Sequence, residues 1–190
     1  ASATWVWDFG DGGSSVVRDP VHEFRNIFGP DTLIRHTRLV AISPYNCRDT
    51  ARLPIIVKPY IEASFAYDTV AECAPHEIII TDQSIGADFY HWYFGDGDSS
   101  NSAGPVIAHT YENDTDDPVP YTLTLRVENK EGCSHEIQRE VWVYPEVKAE
   151  FIVDPVEACS PAEFVFVNNS TGINNNPRDE TYLWDFGDGG

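Results

Sequence analysis

A long internal repeat constrains this chain more than any other feature. The segment that begins at Lys58 reads KPYIEASFAYDTVAECAPHEIII, and 86 residues later, from Tyr144, the chain reads YPEVKAEFIVDPVEACSPAEFVF. Proline, cysteine and apolar positions keep this register, and Cys47 precedes Cys133 by the same 86 residues. Self-similarity of this length indicates a series of small domains, because each copy forms one structural unit.

A repeated heptad marks the same period. It reads WDFGDGG from Trp7 and again from Trp184, and WYFGDGD from Trp92. The spacing is longer between the last two copies, and the extra residues fall in the polar stretch TGINNNPRDET, where surface loops tolerate insertions. We therefore predict three segments, called the first, second and third repeats below. Residues 1–58 are the C-terminal part of one repeat, 59–145 a complete repeat and 146–190 the N-terminal part of a third, as expected for a stretch of a longer chain.

The pattern of apolar residues favours strands over helices. Runs such as YTLTLRV, EVWV and EFVFV are rich in β-branched and aromatic residues, and several alternate with period two. Turn-forming clusters such as DQSIGAD and NKEGC separate these runs. About seven short strands in one repeat are typical of an immunoglobulin-like β-sandwich. The predicted fold class is all-β.

In such a sandwich the heptad forms a strand followed by a tight corner. We predict that Trp92 points between the sheets, and that Asp96 caps backbone N–H groups in a turn that its glycine neighbours make possible. Tyr121 opens the YTLTLRV strand at a position that resembles a tyrosine corner. The predicted core residues are Trp7, Trp92, Trp184 and Tyr121, and the predicted turn caps are Asp11, Asp96 and Asp188.

The ordered set of motifs resembles the PKD (polycystic kidney disease) domain family. The motifs are the heptad, AHTY at Ala108–Tyr111 and YTLTLRVENKEGC at Tyr121–Cys133. The first repeat departs from the pattern, since VHEF replaces the usual His-Thr-Tyr. The resemblance implies a rod of tandem β-sandwich modules that act as extracellular spacers or binding modules. The paired CAP and GC cysteines are most similar to those of giant cell-surface adhesins of gliding bacteria that use type IX secretion.

Composition excludes several classes of partner. The chain has 31 acidic and 12 basic residues and a net charge of −19, which repels nucleic acids and anionic membranes. No apolar run is long enough to span a bilayer, so we expect no membrane contact in this segment. The expected location is extracellular, at the cell surface.

The residue pattern also argues against catalysis. Asp8-Phe9-Gly10 matches a kinase motif, but no accompanying catalytic loop is present, and the six histidines do not form a metal-ligand spacing. We predict no enzyme activity and no cofactor. Asp96 and Asp98 are weak candidates for a structural calcium site, although no complete oxygen shell is apparent in the sequence.

Four cysteines form two repeat-related pairs, Cys47 with Cys133 and Cys73 with Cys159, and they favour disulfides in an oxidising compartment. Two pairings stay open. In one, the cysteine near the start of a repeat bridges the cysteine near the end of the next repeat, which would stiffen a rod. In the other, Cys73 and Cys133 bridge within the second repeat.

Three functions are compatible with these features. The first is a non-enzymatic, stiff spacer in a large bacterial surface adhesin or filament, with neighbouring modules of the same chain as its partners. Further partners are copies of itself in a filament and surface glycans or proteins. The second is an accessory region of a secreted protease or polysaccharide hydrolase. The third is a carbohydrate-binding module in which exposed Tyr60 and Tyr67 hold sugars.

Overall fold

The computed structural model describes residues 3–27, 29–172 and 183–187. These residues form fourteen β-strands, and none of them is helical. In this part of the chain there is accordingly no helix long and apolar enough to cross a membrane. The predicted all-β class and immunoglobulin-like β-sandwich are confirmed.

The first repeat contributes one antiparallel sheet of four strands in the order β2-β1-β3-β4. Its strands are β1 (Thr4–Asp8), β2 (Ser14–Ser15), β3 (Leu33–Ile42) and β4 (Arg48–Val57). Exposure alternates along much of β3, as expected for a strand that turns one face towards the domain interior. Trp7 lies opposite Leu39 in the β1–β3 ladder, so the heptad tryptophan belongs to this sheet.

The second repeat contains two sheets. One has the order β10-β7-β5 and the other β6-β12-β11-β8-β9. Their strands are β5 (Phe65–Tyr67), β6 (Ala71–Cys73), β7 (His76–Asp82), β8 (Phe89–Tyr93), β9 (Ser99–Ser100), β10 (Val106–Tyr111), β11 (Val119–Glu128) and β12 (Ser134–Tyr144).

The apolar faces of these sheets form the core of the second repeat. In β7 the side chains alternate strictly between buried and exposed over the first six residues, as the pleat of a strand requires, so Ile79 is exposed between the buried Ile78 and Ile80. Burying a large apolar side chain stabilises a fold by about 1.5–3 kcal/mol. The side chains with at most 1% exposure include Phe65, Ile78, Ile80, Trp92, Tyr111, Leu123, Leu125, Val127, Val141 and Val143.

The described part of the third repeat is smaller. It contains the antiparallel pair β13 (Phe151–Asp154) and β14 (Val165–Asn168). Lys148, which precedes this pair, and Thr171, which follows it, form an isolated β-bridge.

The chain divides into two compact units. One comprises Ala1–Ser64, Gln83–His91 and Arg126–Ile137, and the other Phe65–Asp82, Trp92–Leu125 and Gln138–Gly190. The linker between the first and second repeats therefore lies inside one unit, and the linker between the second and third repeats lies inside the other. The repeat boundaries after residues 58 and 145 stay predictions.

Candidate functional site

The heptad of the second repeat forms a buried anchor followed by a capped turn. Trp92 is 1% exposed, and its ring centroid lies 5.4 Å from that of Phe65 on the opposite sheet. Its indole N–H donates to the backbone oxygen of Ser102 at 3.3 Å. In the turn, Oδ1 of Asp96 accepts a hydrogen bond from the backbone N–H of Asp98 at 2.9 Å. The heptad thus acts in packing and in turn closure.

Sequence reasoning missed a histidine that pairs with this aspartate. Nε2 of His109 lies 2.6 Å from Oδ2 of Asp96, and its ring stacks on Phe94 at 3.8 Å. Burial raises the pKa of the Asp96 carboxyl, but the N–H of Asp98 and the His109 ring lower it further, so the pKa falls below its ordinary value. The pair therefore joins the turn to strand β10 and favours an ionised Asp96.

The first repeat contains the same arrangement. Oδ1 of Asp11 accepts from the N–H of Gly13 at 2.9 Å, and Oδ2 lies 2.7 Å from Nε2 of His22. The His22 ring stacks on Phe9 at 3.9 Å. Hydrogen bonding from His22 and Gly13 lowers the pKa of Asp11. His22 and His109 occupy equivalent positions in the two repeats, and this equivalence is the sequence signal for the shared contact.

The three heptad tryptophans differ in burial. Trp7 is half-buried and donates from its indole to the oxygen of Val17 at 3.1 Å. Trp184 is 37% exposed and packs against Phe151 at 5.6 Å between ring centroids. The predicted cap Asp188 lies outside the described residues. Among the three, Trp92 is thus the tryptophan that lies fully within a core.

A second aromatic contact closes the end of the second repeat. The hydroxyl of Tyr111, a residue with 0% exposure, donates to the oxygen of Phe94 at 3.0 Å, and burial raises its pKa well above the ordinary value. Tyr121 stacks on Tyr111 at 4.8 Å and donates its hydroxyl to the oxygen of Glu112 at 2.8 Å. A tyrosine hydroxyl that bonds backbone a few residues upstream is the arrangement of a tyrosine corner.

The calcium candidates lie next to this corner. One ligand atom from each of Asp96, Asp98 and His109 falls within a group less than 4.8 Å across. Both Asp96 oxygens already accept hydrogen bonds, and calcium prefers six to eight oxygen ligands. The calcium site stays a prediction.

The linker between the first and second repeats is fixed by a buried asparagine. Asn26 is 6% exposed, and its Nδ2 donates to the oxygens of Asp31 at 2.8 Å and Val57 at 3.0 Å. Its own backbone oxygen accepts from the N–H of Tyr60 at 2.9 Å. One residue of the first repeat thus bonds Val57, directly before the linker Lys58-Pro59-Tyr60, and Tyr60 at the end of the linker.

The second repeat holds this linker from the other side. The ammonium group of Lys58 donates to the oxygen of Glu131 at 2.5 Å, and Pro59 is buried. Glu62 forms a bridge with Ile85, and the following Gly86 has a φ of 71° with its Cα facing the oxygen of Tyr60. A side chain at position 86 would collide with that oxygen, so the close approach requires glycine.

The linker between the second and third repeats has corresponding contacts. Nδ2 of Asn113 donates to the oxygens of Asp117 at 2.9 Å and Val143 at 2.8 Å. The Lys148–Thr171 bridge corresponds to Glu62–Ile85, and Gly172 approaches the oxygen of Glu146 as Gly86 approaches that of Tyr60. Asn26 and Asn113 were not identified from the sequence. Their signal was an asparagine two residues after an aromatic residue, in EFRN and TYEN.

All four cysteines are free in the structure. Cys133 follows the turn between β11 and β12, where its N–H donates to Oδ1 of Asn129 at 2.9 Å, and Cys47 makes the corresponding contact with Oγ of Ser43 at 3.1 Å. Cys73 is the exposed last residue of β6, and Cys159 is exposed in the third repeat.

The two tyrosines considered for sugar binding use their hydroxyls within the chain. Tyr60 is 45% exposed and donates to the carboxylate of Glu62 at 2.8 Å. Tyr67 donates to the backbone oxygen of Glu140 at 2.8 Å. A carbohydrate-binding role stays a prediction.

Comparisons with known proteins place a family on the middle of the chain. Residues 57–143 match the PKD domain family. The PKD1 domain of Vibrio anguillarum Epp is 21% identical over 44% of this chain and 92% of that domain, with a TM-score of 0.34. The PKD1 domain of the Vibrio cholerae metalloprotease PrtV is 22% identical over 43% of this chain and 93% of that domain, with a TM-score of 0.33. The amphioxus IgVJ-C2 molecule is 11% identical over 74% of this chain and 88% of that protein, with a TM-score of 0.36. No curated protein matches the chain significantly. The family match supports a PKD domain at residues 57–143.

Proposed function

We propose that this chain is a stiff, non-enzymatic spacer segment of a large extracellular surface protein. The PKD family match at residues 57–143 supports an extracellular accessory or structural role. The finer assignment, to a surface adhesin of a gliding bacterium secreted by the type IX route, is supported by the sequence resemblance alone. The partners in this proposal are neighbouring repeats of the same chain.

The observation that carries the proposal is that the linker between the first and second repeats, Lys58-Pro59-Tyr60, is held by hydrogen bonds and burial. A flexible linker is solvated and samples many conformations. Here Pro59 is buried, Tyr60 is bonded to Asn26, and Lys58 is bonded to Glu131. Three successive residues are therefore tied to one repeat or the other, which restricts bending at this point.

The arrangement of polar groups supports a structural role. Asp11 and Asp96 cap turns and pair with histidines that stack on phenylalanine rings. An aspartate–histidine pair can take part in catalysis only beside a nucleophile or a bound substrate. In both repeats this pair is used to join a turn to the adjoining segment, and its repetition argues for a common structural task.

Electron paramagnetic resonance distance measurements test the proposed stiffness. Nitroxide labels are placed at Tyr45→Cys in the first repeat and Asp116→Cys in the second, in a chain whose four native cysteines are changed to serine. Both labelled residues are exposed. We expect one narrow distance distribution. A control with Gly-Ser-Gly inserted after Lys58 should broaden it. A distribution in the parent chain as broad as that of the control would refute the spacer proposal.

A further inference from the structure

Strand β12 lies between the positions of the two cysteines of the second repeat. Strand β12 contains 11 residues, from Ser134 to Tyr144. Cys133 directly precedes its first residue, and Cys73 pairs with Tyr144, its last residue. At 3.3 Å per residue these ends are about 33 Å apart, whereas a disulfide requires Cα atoms within about 7 Å. The length of this strand therefore argues against a bridge between Cys73 and Cys133 within the second repeat.

Cys73 instead lies beside the exit of its repeat. It pairs with Tyr144 in the parallel ladder of β6 and β12, and the N–H of Ala74 donates to the oxygen of Tyr144 at 2.9 Å. Tyr144 is the last residue before Pro145 and hence the first position of the linker. The cysteine near the start of a repeat thus returns to the linker that leaves the same repeat.

Cys133 lies beside the linker that enters its repeat. Lys58 occupies the position equivalent to Tyr144, and its ammonium group bonds the oxygen of Glu131. A Cβ atom at Gly132 would lie 3.9 Å from that nitrogen. Cys133 also lines a cleft with Asn26 of the first repeat and with the linker residue Pro59. Cys133 therefore lies near Lys58 in the linker that enters its repeat, and Cys73 lies beside Tyr144, the equivalent position in the linker that leaves the repeat.

We propose that the cysteine equivalent to Cys73 in one repeat forms a disulfide with the cysteine equivalent to Cys133 in the next repeat. Both linkers share the asparagine contacts to the last strand and the same bridge, Glu62–Ile85 or Lys148–Thr171, so the geometry of one applies to the other. This inference rests on the proposed tandem spacer. The two thiols each lose a proton and together give two electrons to a disulfide oxidant such as glutathione disulfide, which is reduced to two thiols as the S–S bond forms.

A chain with one extra repeat tests the bridge. Residues 1–144 are followed directly by residues 59–190, so that Tyr144 precedes Pro59 and the full chain is retained with a duplicated second repeat. The four native cysteines and the two added ones give six thiols. After oxidation with a glutathione redox buffer we expect four free thiols and one linked peptide pair that contains Cys73 and Cys133.

Variants in each copy identify which cysteines are joined. Cys73→Ser in the first copy should abolish the linked pair and leave all five remaining thiols free. The same change in the second copy should leave the linked pair intact. Six reactive thiols in the folded, oxidised protein, or a linked pair lost only with the second-copy change, would overturn the proposal.

Distance measurements separate this outcome from the spacer proposal, and they use the same duplicated chain with its six cysteines changed to serine and one nitroxide label on each side of the duplicated linker. A narrow distance distribution in that chain, together with six free thiols in the oxidised cysteine-containing protein, would retain the stiff spacer and refute the bridge. A broad distribution would refute the spacer itself.

Discussion

Replacement of Asn113 by alanine should destabilise the second repeat strongly. The side chain is 4% exposed and donates to the oxygens of Asp117 and Val143, while its Oδ1 accepts from the N–H and hydroxyl of Thr115. A buried hydrogen bond contributes about 1 kcal/mol net, and a buried acceptor left unpaired costs about 1–3 kcal/mol. Because Val143 is completely buried, its oxygen has little access to water after the change. We expect a loss of about 3 kcal/mol, which lowers the melting temperature of a domain of this size by roughly 12–24 °C.

Far-ultraviolet circular dichroism during heating and urea titration measures this loss. Asp116→Ala, an exposed position in the same loop, provides the matched control and should change the free energy of unfolding by less than about 0.5 kcal/mol. Asn113→Asp retains the acceptor but removes both donors and places a carboxylate against two carbonyl oxygens, so it should be at least as destabilising as alanine. If Asn113→Ala unfolds like the control, the asparagine contacts do not hold the end of the repeat and the account of the linker is wrong.

Three further predictions concern other contacts. Gly95→Ala should be much more destabilising than Gly97→Ala in urea denaturation, because both glycines have positive φ but only at Gly95 would a Cβ meet the backbone of Thr122, at 2.7 Å. The folded-state pKa of Asp96 lies below its value in the unfolded chain, so the stabilisation from this carboxylate is present above about pH 4 and is lost as the pH falls through the folded pKa. Asp96→Asn should therefore make the free energy of unfolding less dependent on pH between neutral and acid pH. An unchanged pH dependence would contradict the stabilising role of the hydrogen-bonded carboxylate. Tyr111→Phe should lower the free energy of unfolding by about 1–3 kcal/mol, because it leaves the buried oxygen of Phe94 without its donor. Tyr121→Phe should lower it by less, because the bond from Tyr121 to Glu112 is exposed. Equal shifts in melting temperature for the two variants would be evidence against this ranking.

The core of the second repeat was predictable because it depends on periodicity and on side-chain size. Alternating runs assign strands, and an indole in a strand that precedes a Gly-Asp-Gly turn has few places other than the space between two sheets. The aspartate in this turn likewise has a local partner, since the N–H two residues later is within reach of its side chain in any chain that adopts the turn. Such local rules identify Trp92 and Asp96 without knowledge of the tertiary structure.

The contacts that fix the linkers depend on residues far apart in the sequence, and sequence patterns do not specify them. Asn26 reaches the oxygen of Val57, and Asn113 that of Val143, across loops whose closure is visible only in the folded chain. In the sequence, an asparagine in a polar loop is typical of an exposed turn residue. Only its burial in the folded chain distinguishes a turn residue from one that bonds a distant strand. His109 was equally ambiguous, because stacking on Phe94 and pairing with Asp96 both follow from the sheet arrangement.

Asn26 makes contacts both within the first repeat and with the linker, so the stability of this repeat and the proposed stiffness of the linker depend on the same residue. Nδ2 of Asn26 closes a loop within the first repeat and holds Val57 at the end of the last strand, while its backbone oxygen holds Tyr60 at the start of the second repeat. The orientation of the linker is therefore set by groups that are already ordered when the repeat folds, so little additional conformational entropy is lost in fixing it. In the proposed series of domains, a linker held in this way would restrict bending without a large interface between neighbours, because Asn26 completes the fold of the first repeat and also holds Tyr60.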